Sequence, residues 1–352
     1  LDRLLAAQEL ESARHGAPAH DELLFVIVHQ AYELWFKQIL HELDAVQAIF
    51  AGVVADKDML RAVGYLQRMG QIERLLVEQI DVLETMTPLD FLDFRDFLVP
   101  ASGFQSFQFR LIENRLGVPP PARPLIEGAG YTTRFSAEHR RLLEESERQP
   151  TLFDRVQSWL ERTPFLTLAD FDFWRAYRTR VMASLDAERR LIEDDPRLDD
   201  EERAARLKAF DRSVTHFDGL FDAAKYEDHD PGYRPRLSHK AFEAALLINL
   251  YRDEPILQLP FRILTGLMDL DEGLTNWRYR HALMVRRMIG ARVGTGGTSG
   301  YHYLRQAAER SRVFSDLFAV STFLLPRSQI PPLPPEVERV MGFHLAAGDR
   351  SS

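Results

Sequence analysis

The chain contains no cysteine among its 352 residues, which excludes disulfides, zinc–thiolate sites, iron–sulfur clusters and thiolate-ligated haem in one step. A cytoplasmic setting is the expectation that follows. Long apolar runs are missing too. The longest, Leu23 to Val28, falls far short of the roughly 20 residues that span a bilayer, so no membrane segment is expected. Basic residues are outnumbered, 44 Lys and Arg against 53 Asp and Glu, for a net charge of -9 and a pI near 5.7. Binding a phosphate backbone needs a basic field, so nucleic acid is excluded as a partner. The chain opens Leu1-Asp2-Arg3, with no secretory leader pattern and with Leu in place of Met, so the translated start is expected upstream.

Strands are the next absence, because no run of alternating β-branched residues lies between turn signals. What is present is helical periodicity. It predicts helices over 21–50, 57–86, 88–98, 103–116, 170–193, 201–223, 238–251, 260–292 and 301–323. The breaks are rich in proline or acid: PPPARP from Pro119, EDDPRLDD from Glu193, EDHDPGYRP from Glu227 and IPPLPPEV from Ile330. None is long or uniform enough for an interdomain linker. The expected architecture is all-α, one domain over 1–352 with a charged helical insertion at about 135–235.

Three helices carry unusual residues. At 100° per residue, Trp277, His281, Met284, Val285 and Met288 share one face, while Arg286 and Arg287 point elsewhere. His281 thus lies in an apolar stripe. It reads either as a core histidine bonded to a carbonyl or as an axial ligand to haem iron, for which a neutral imidazole on an apolar face is suited. The loop that follows, Gly294 to Gly300 (GTGGTSG), has neither the preceding strand nor the Gly-Lys-Ser/Thr of a phosphate cradle. It reads as a connector or as a lid closing on a polar ligand.

In the second helix, Phe25 and His29 stand four residues apart, with Tyr32 and Phe36 continuing the stripe. That pattern serves packing as readily as function. In the third, Thr87, Pro88 and Asp90 make a capped start and Pro100 a stop, and Phe91, Leu92, Arg95 and Leu98 share a face. A guanidinium buried there needs an anion, either a protein carboxylate or the carboxylate of a substrate. Elsewhere, EDHD at 227–230 reads as a solvated acidic loop before it reads as a cation site. His41 lacks the second histidine of a zinc helix, and G-x-S-x-G is absent.

Taken together, these stretches resemble the tryptophan 2,3-dioxygenase family. The match includes HDELLFVIVHQAYELWFKQIL from His20, DFLDFRDFLVPASGFQSFQFRLIENRLG from Asp90, YRDEPILQLPFRILTGLMDLDEGLTNWRYRH from Tyr251, RMIGARVGTGGTSGYHYLR from Arg287 and LLPRSQIPPLP from Leu324. The resemblance implies a helical bundle enclosing haem b, with His281 as axial ligand to its iron and His29 as the catalytic distal histidine near the indole N–H. It implies Arg95 as the clamp on the amino-acid carboxylate and Phe25, Phe91 and Leu98 as walls of the indole pocket. Ser102 and Gly103 would form the turn beside the haem, and Thr295 would meet the substrate ammonium and carboxylate. Ring opening of L-tryptophan by O2 to N-formylkynurenine is the implied reaction, in tryptophan catabolism by the kynurenine pathway, and a homo-oligomer, a tetramer, the implied assembly. A haem monooxygenase acting on a related indole is the competing expectation. Two departures stand out: the family's segment with two tyrosines before Leu-Asp-x-Leu-Leu is not in this sequence, and Thr298 replaces a common serine.

Overall fold

The computed structural model describes residues 1–99, 106–119, 135–168, 171–227, 235–290, 292, 304–305, 308 and 310–342. Its helices are α1 (Asp2–Leu5), α2 (Glu11–Arg14), α3 (Glu22–Phe50), α4 (Asp56–Leu83), α5 (Pro88–Arg95), α6 (Phe107–Leu116), α7 (Ala137–Glu147), α8 (Leu152–Leu160), α9 (Phe173–Glu193), α10 (Asp200–Phe221), α11 (Ala223–Glu227), α12 (His239–Leu250), α13 (Pro255–Ile289), α14 (Ser315–Ala319) and α15 (Pro335–Met341). The protein is all-α. The strand structure among the described residues is one two-residue antiparallel pair, Thr167–Leu168 with Phe171–Asp172. The chain falls into two compact units, residues 1–155 with 265–314, and residues 156–264 with 315–352.

In the first unit, α3 and α4 form a long helical hairpin. Their apolar stripes explain the pairing: Phe36, Ile39, Leu43 and Val46 on α3, and Leu66, Met69, Leu76 and Ile80 on α4, are almost wholly buried. Tyr32 donates its hydroxyl to the Leu76 carbonyl at 2.6 Å, and Arg68 meets Glu42 at 2.7 Å. Residues advancing on one helix thus meet residues receding on the other, and the two run antiparallel. From Thr265 onward α13 follows α4 in the same direction, with Gly266 against Leu66, Gly273 against Glu73 and Arg280 bonded to Asp81. α6 runs along α3 in the same direction, tied by Gln108 donating to the Glu33 carbonyl at 2.8 Å and Gln47 donating to the Arg115 carbonyl at 2.7 Å.

The second unit centres on α12, where Phe242, Leu246, Leu247 and Ile248 are all buried. Tyr177 of α9 donates to the Phe323 carbonyl at 2.6 Å. The buried Asp316 accepts the backbone N–H groups of Arg236 and Leu237, which fixes the entry to α12.

Several boundaries differ from the periodicity. The last predicted helix, 301–323, is interrupted: Val313 and Phe314 donate their N–H groups to the Asp271 carboxylate, at 2.9 and 3.2 Å, so these donors are lost to helix formation. Helical structure resumes at Ser315 and tightens to a 3-10 turn over Val320–Phe323. The helix expected from Pro260 begins at Pro255 and carries Pro260 inside it. Proline suits a first turn, which made Pro260 a plausible start. The helix ends at Gly290, whose φ of +61° is the left-handed conformation that glycine adopts without strain. The helix expected from Gly103 starts at Phe107, capped by Ser106, which accepts the Phe109 N–H at 3.2 Å.

Candidate functional site

The site is built in the first unit from α3, α5 and α13. On α5 the predicted cap is present: Asp90 donates its N–H to Thr87 Oγ1 at 3.3 Å, and Thr87 returns its own to Asp90 Oδ2 at 3.1 Å. This fixes the helix start and with it the heading of Phe91, Phe94 and Arg95. A single 3-10 turn, Asp96–Leu98, completes the element.

The rings of Phe25, Phe91 and Phe94 form one aromatic cluster. Centroids of Phe25 and Phe91 lie 5.7 Å apart, those of Phe25 and Phe94 5.5 Å, and those of Phe91 and Phe94 5.5 Å. Such separations are those of interacting aromatic pairs. Phe94 is completely buried and anchors the two half-buried rings. It was not singled out in the sequence, although its place three residues after Phe91 was the available signal. Leu98, Trp277, Val285, Met284 and Met288 pack into the same apolar body, so the face predicted for α13 is the face that is used.

His29 rests on Phe25 with ring centroids 4.0 Å apart. Its Nδ1 lies 2.7 Å from the Phe25 carbonyl one turn back. A carbonyl only accepts, so Nδ1 carries the proton and Nε2 keeps a lone pair. The ring reaches solvent while protein crowds it enough to push its pKa down from 6.5, against the smaller raising effect of the Phe25 carbonyl. It is thus a neutral acceptor whose ring is open to solvent.

His281, half-buried, lies flat on Trp277, centroids 5.5 Å apart and planes within 10°. Burial, and then the charge of His29, lower its pKa to about 4. Trp277 in turn meets Tyr32 of α3, centroids 6.0 Å apart. Tyr32 is pushed up to about 12, chiefly by burial. Neither His281 nitrogen bonds a described residue, so the reading of His281 as a core histidine bonded to a carbonyl finds no such bond among the described residues.

Arg95 ends α5 and is half-buried, less enclosed than its apolar neighbours in sequence suggested. Ser102, Gly103 and Thr295, with the rest of the glycine loop, lie outside the described residues, as do 228–230 of the acidic EDHD stretch. Among the described residues no group of three or more His, Asp or Glu is arranged to hold a metal ion.

A sequence profile described as tryptophan 2,3-dioxygenase matches residues 1–324. The chain is 48% identical over 345 residues to the tryptophan 2,3-dioxygenase of Bdellovibrio bacteriovorus, covering 98% of this chain and 96% of that one. Identity to the tryptophan 2,3-dioxygenase of Xenopus laevis is 47% over 344 residues, covering 97% and 84%. To that of Mus musculus it is 45% over 344 residues, with the same coverage.

Proposed function

The chain belongs to the tryptophan 2,3-dioxygenase family, and from that premise we propose that its α3–α5–α13 site opens the indole ring of L-tryptophan with O2 to give N-formylkynurenine. The observation that carries the assignment of roles is the pair of histidines on two apolar helices, His29 resting on Phe25 and His281 on Trp277, with the Phe25–Phe91 aromatic cluster beside His29.

The residues fit haem b. His281 presents a neutral imidazole, backed by Trp277 and bonded to no described residue, which is the donor a haem iron takes from a chain without cysteine. His281 would hold the iron, and the haem, when bound, would supply the activation of O2. The rest is done by the protein's own side chains. Phe25, Phe91 and Leu98 receive the indole by apolar contact and keep water from it. His29, with Nδ1 committed to the Phe25 carbonyl, offers Nε2 to the indole N–H and thereby orients the ring. Arg95 takes the amino-acid carboxylate as a charge-assisted pair, joined by Thr295, which also meets the ammonium. Ser102 and Gly103 are assigned to the same site on the family resemblance alone. Fixing both ends of the substrate converts an encounter with O2 into a reaction of bound, aligned partners.

The test is reaction of the haem-loaded protein with L-tryptophan and isotopically labelled O2. Both labels in one ring-opened product support the assignment, whereas one label in an unopened ring would make the protein a monooxygenase. His281→Ala should abolish the Soret band.

No helix among the described residues is long and apolar enough to cross a membrane; a cytoplasmic setting is assigned on the family resemblance. We assign a homotetramer on the family resemblance. Leu23, Ile27 and Leu34, exposed on α3, are apolar side chains such an assembly would cover, and light scattering of the purified protein tests the mass.

A further inference from the structure

Along α4, Met59, Leu66, Glu73 and Ile80 recur every seven residues, and all four are buried. Three are apolar and the fourth is an acid, 2% exposed. Leu66 and Glu73 occupy equivalent places, each seated over a glycine of α13. A methyl built on Gly266 would lie 3.2 Å from Leu66 Cβ, and one built on Gly273 would lie 2.9 Å from the carboxyl carbon of Glu73. The second distance is shorter than packed carbon atoms tolerate. Gly273 therefore leaves a notch that Glu73 fills, and a methyl there would have to displace the buried carboxyl group and press on Glu73 Cβ at 3.3 Å.

We propose that Glu73 is a positioning residue: seated in the Gly273 notch as an uncharged carboxylic acid, it locks α13 against α4 and so places Trp277 and His281, one and two turns further along α13. Neither Glu73 oxygen has a hydrogen-bond partner among the described residues, a situation that an ionised carboxylate in a closed interior would not survive. The nearby cation is already committed, because Arg278 bonds Glu113 at 2.9 Å. The groups that face Glu73 from α13 are Asp271, Arg278 and Asp269. Burial, then Asp271, raises the Glu73 pKa well above the ordinary glutamate value; Arg278 opposes this and Asp269 adds to it. A neutral Glu73 leaves Asp271 free to act as the acceptor for the Val313 and Phe314 N–H groups, which anchor the chain to α13.

The proton inventory gives the sign of the test. Between the ordinary glutamate pKa and the raised one, the native state binds a proton that the unfolded chain has lost, so stability falls as pH rises through that interval. Thermal unfolding of the purified full chain should therefore show Glu73→Gln gaining on the native protein steadily from acid to neutral pH, with the difference closing in acid. Destabilisation by Glu73→Gln at neutral pH would mean a paired carboxylate and would overturn the proposal. The notch is tested by a double-mutant cycle. Gly273→Ala should lower the melting temperature by several degrees, and adding Glu73→Ala should recover part of the loss; strictly additive losses would overturn the lock. This cycle needs no haem, so its outcome is separate from the assignment of His281. The placement of His281, which rests on that assignment, is read in turnover. Gly273→Ala should lower kcat for L-tryptophan about tenfold or more with KM changed less, because Phe25, His29, Phe91 and Arg95 lie on α3 and α5, and the double variant should regain part of it. An unchanged kcat in Gly273→Ala would remove Glu73 from any positioning role.

Discussion

Trp277 and His281 lie parallel on one face of α13, a helical turn apart, with ring centroids separated by 5.5 Å. Trp277 is itself gripped edge-on by Phe36, centroids 6.0 Å apart, and tilted against Phe109 at 5.1 Å. The imidazole thus inherits its orientation from a stack that reaches α3 and α6. An aromatic pair contributes about 0.5–1.5 kcal/mol beyond its buried area. Trp277→Leu should accordingly speed haem loss to a globin acceptor by about two- to tenfold, measured by the decay of the Soret band. Loss no faster than in the native protein would show that the stack does not steady His281.

His29 gives the pH dependence. Its pKa is lowered by burial, so Nε2 is a lone-pair acceptor through the neutral range and becomes a donor only once pH falls below the ordinary histidine range. Turnover at low L-tryptophan should hold steady down to about pH 6.5 and decline beyond it. His29→Ala should be slower throughout but lack that acid limb. The same shift acts on folding: an unfolded histidine takes its proton first as pH falls, so the native state loses stability below about pH 6.5. An acid limb that survives in His29→Ala would belong to another group.

Arg95→Leu should weaken substrate binding. Losing one partner of a charge pair at a binding site costs roughly 2–5 kcal/mol, and the half-buried position of Arg95 places this case at the low end, about a 30-fold rise in KM. Indole without the amino-acid group should bind the variant as it binds the native protein, by spectral titration. Equal loss for both ligands would mean a collapsed pocket and no carboxylate clamp.

How much of this was legible depends on range. The stripes of α3 and α4, the Thr87–Asp90 cap and the apolar face around His281 are local patterns, and they were readable to within a few residues. Phe25 and His29 were readable as a pair for the same reason. The break at Val313 was not, because its cause is a carboxylate 42 residues away in sequence. Nor was Glu73, since nothing near position 73 announces that Gly273 will open a notch for it. Arg95 was read as a buried guanidinium from its apolar helix neighbours; its half-buried setting depends on what lies across from α5, which periodicity does not report.

The buried ion pair between Arg278 of α13 and Glu113 of α6 separates charge from packing. Glu113 accepts from Arg278 at 2.9 Å and from Arg110 at 2.5 Å, and both guanidiniums lie over the Phe109 ring, at 5.4 and 5.5 Å from its centre. The two changes that break this arrangement are unequal. Arg278→Met leaves Glu113 with Arg110, so the loss should sit near the low end of the roughly 3–5 kcal/mol that follows removal of one partner from a buried pair. Glu113→Gln leaves two cations around one aromatic ring and no carboxylate between them, and should cost more. Urea unfolding of the two variants decides the order. If Arg278→Met is the more damaging, the guanidinium matters for the volume it fills between α6 and α13, and the charge of Glu113 does not organise that contact.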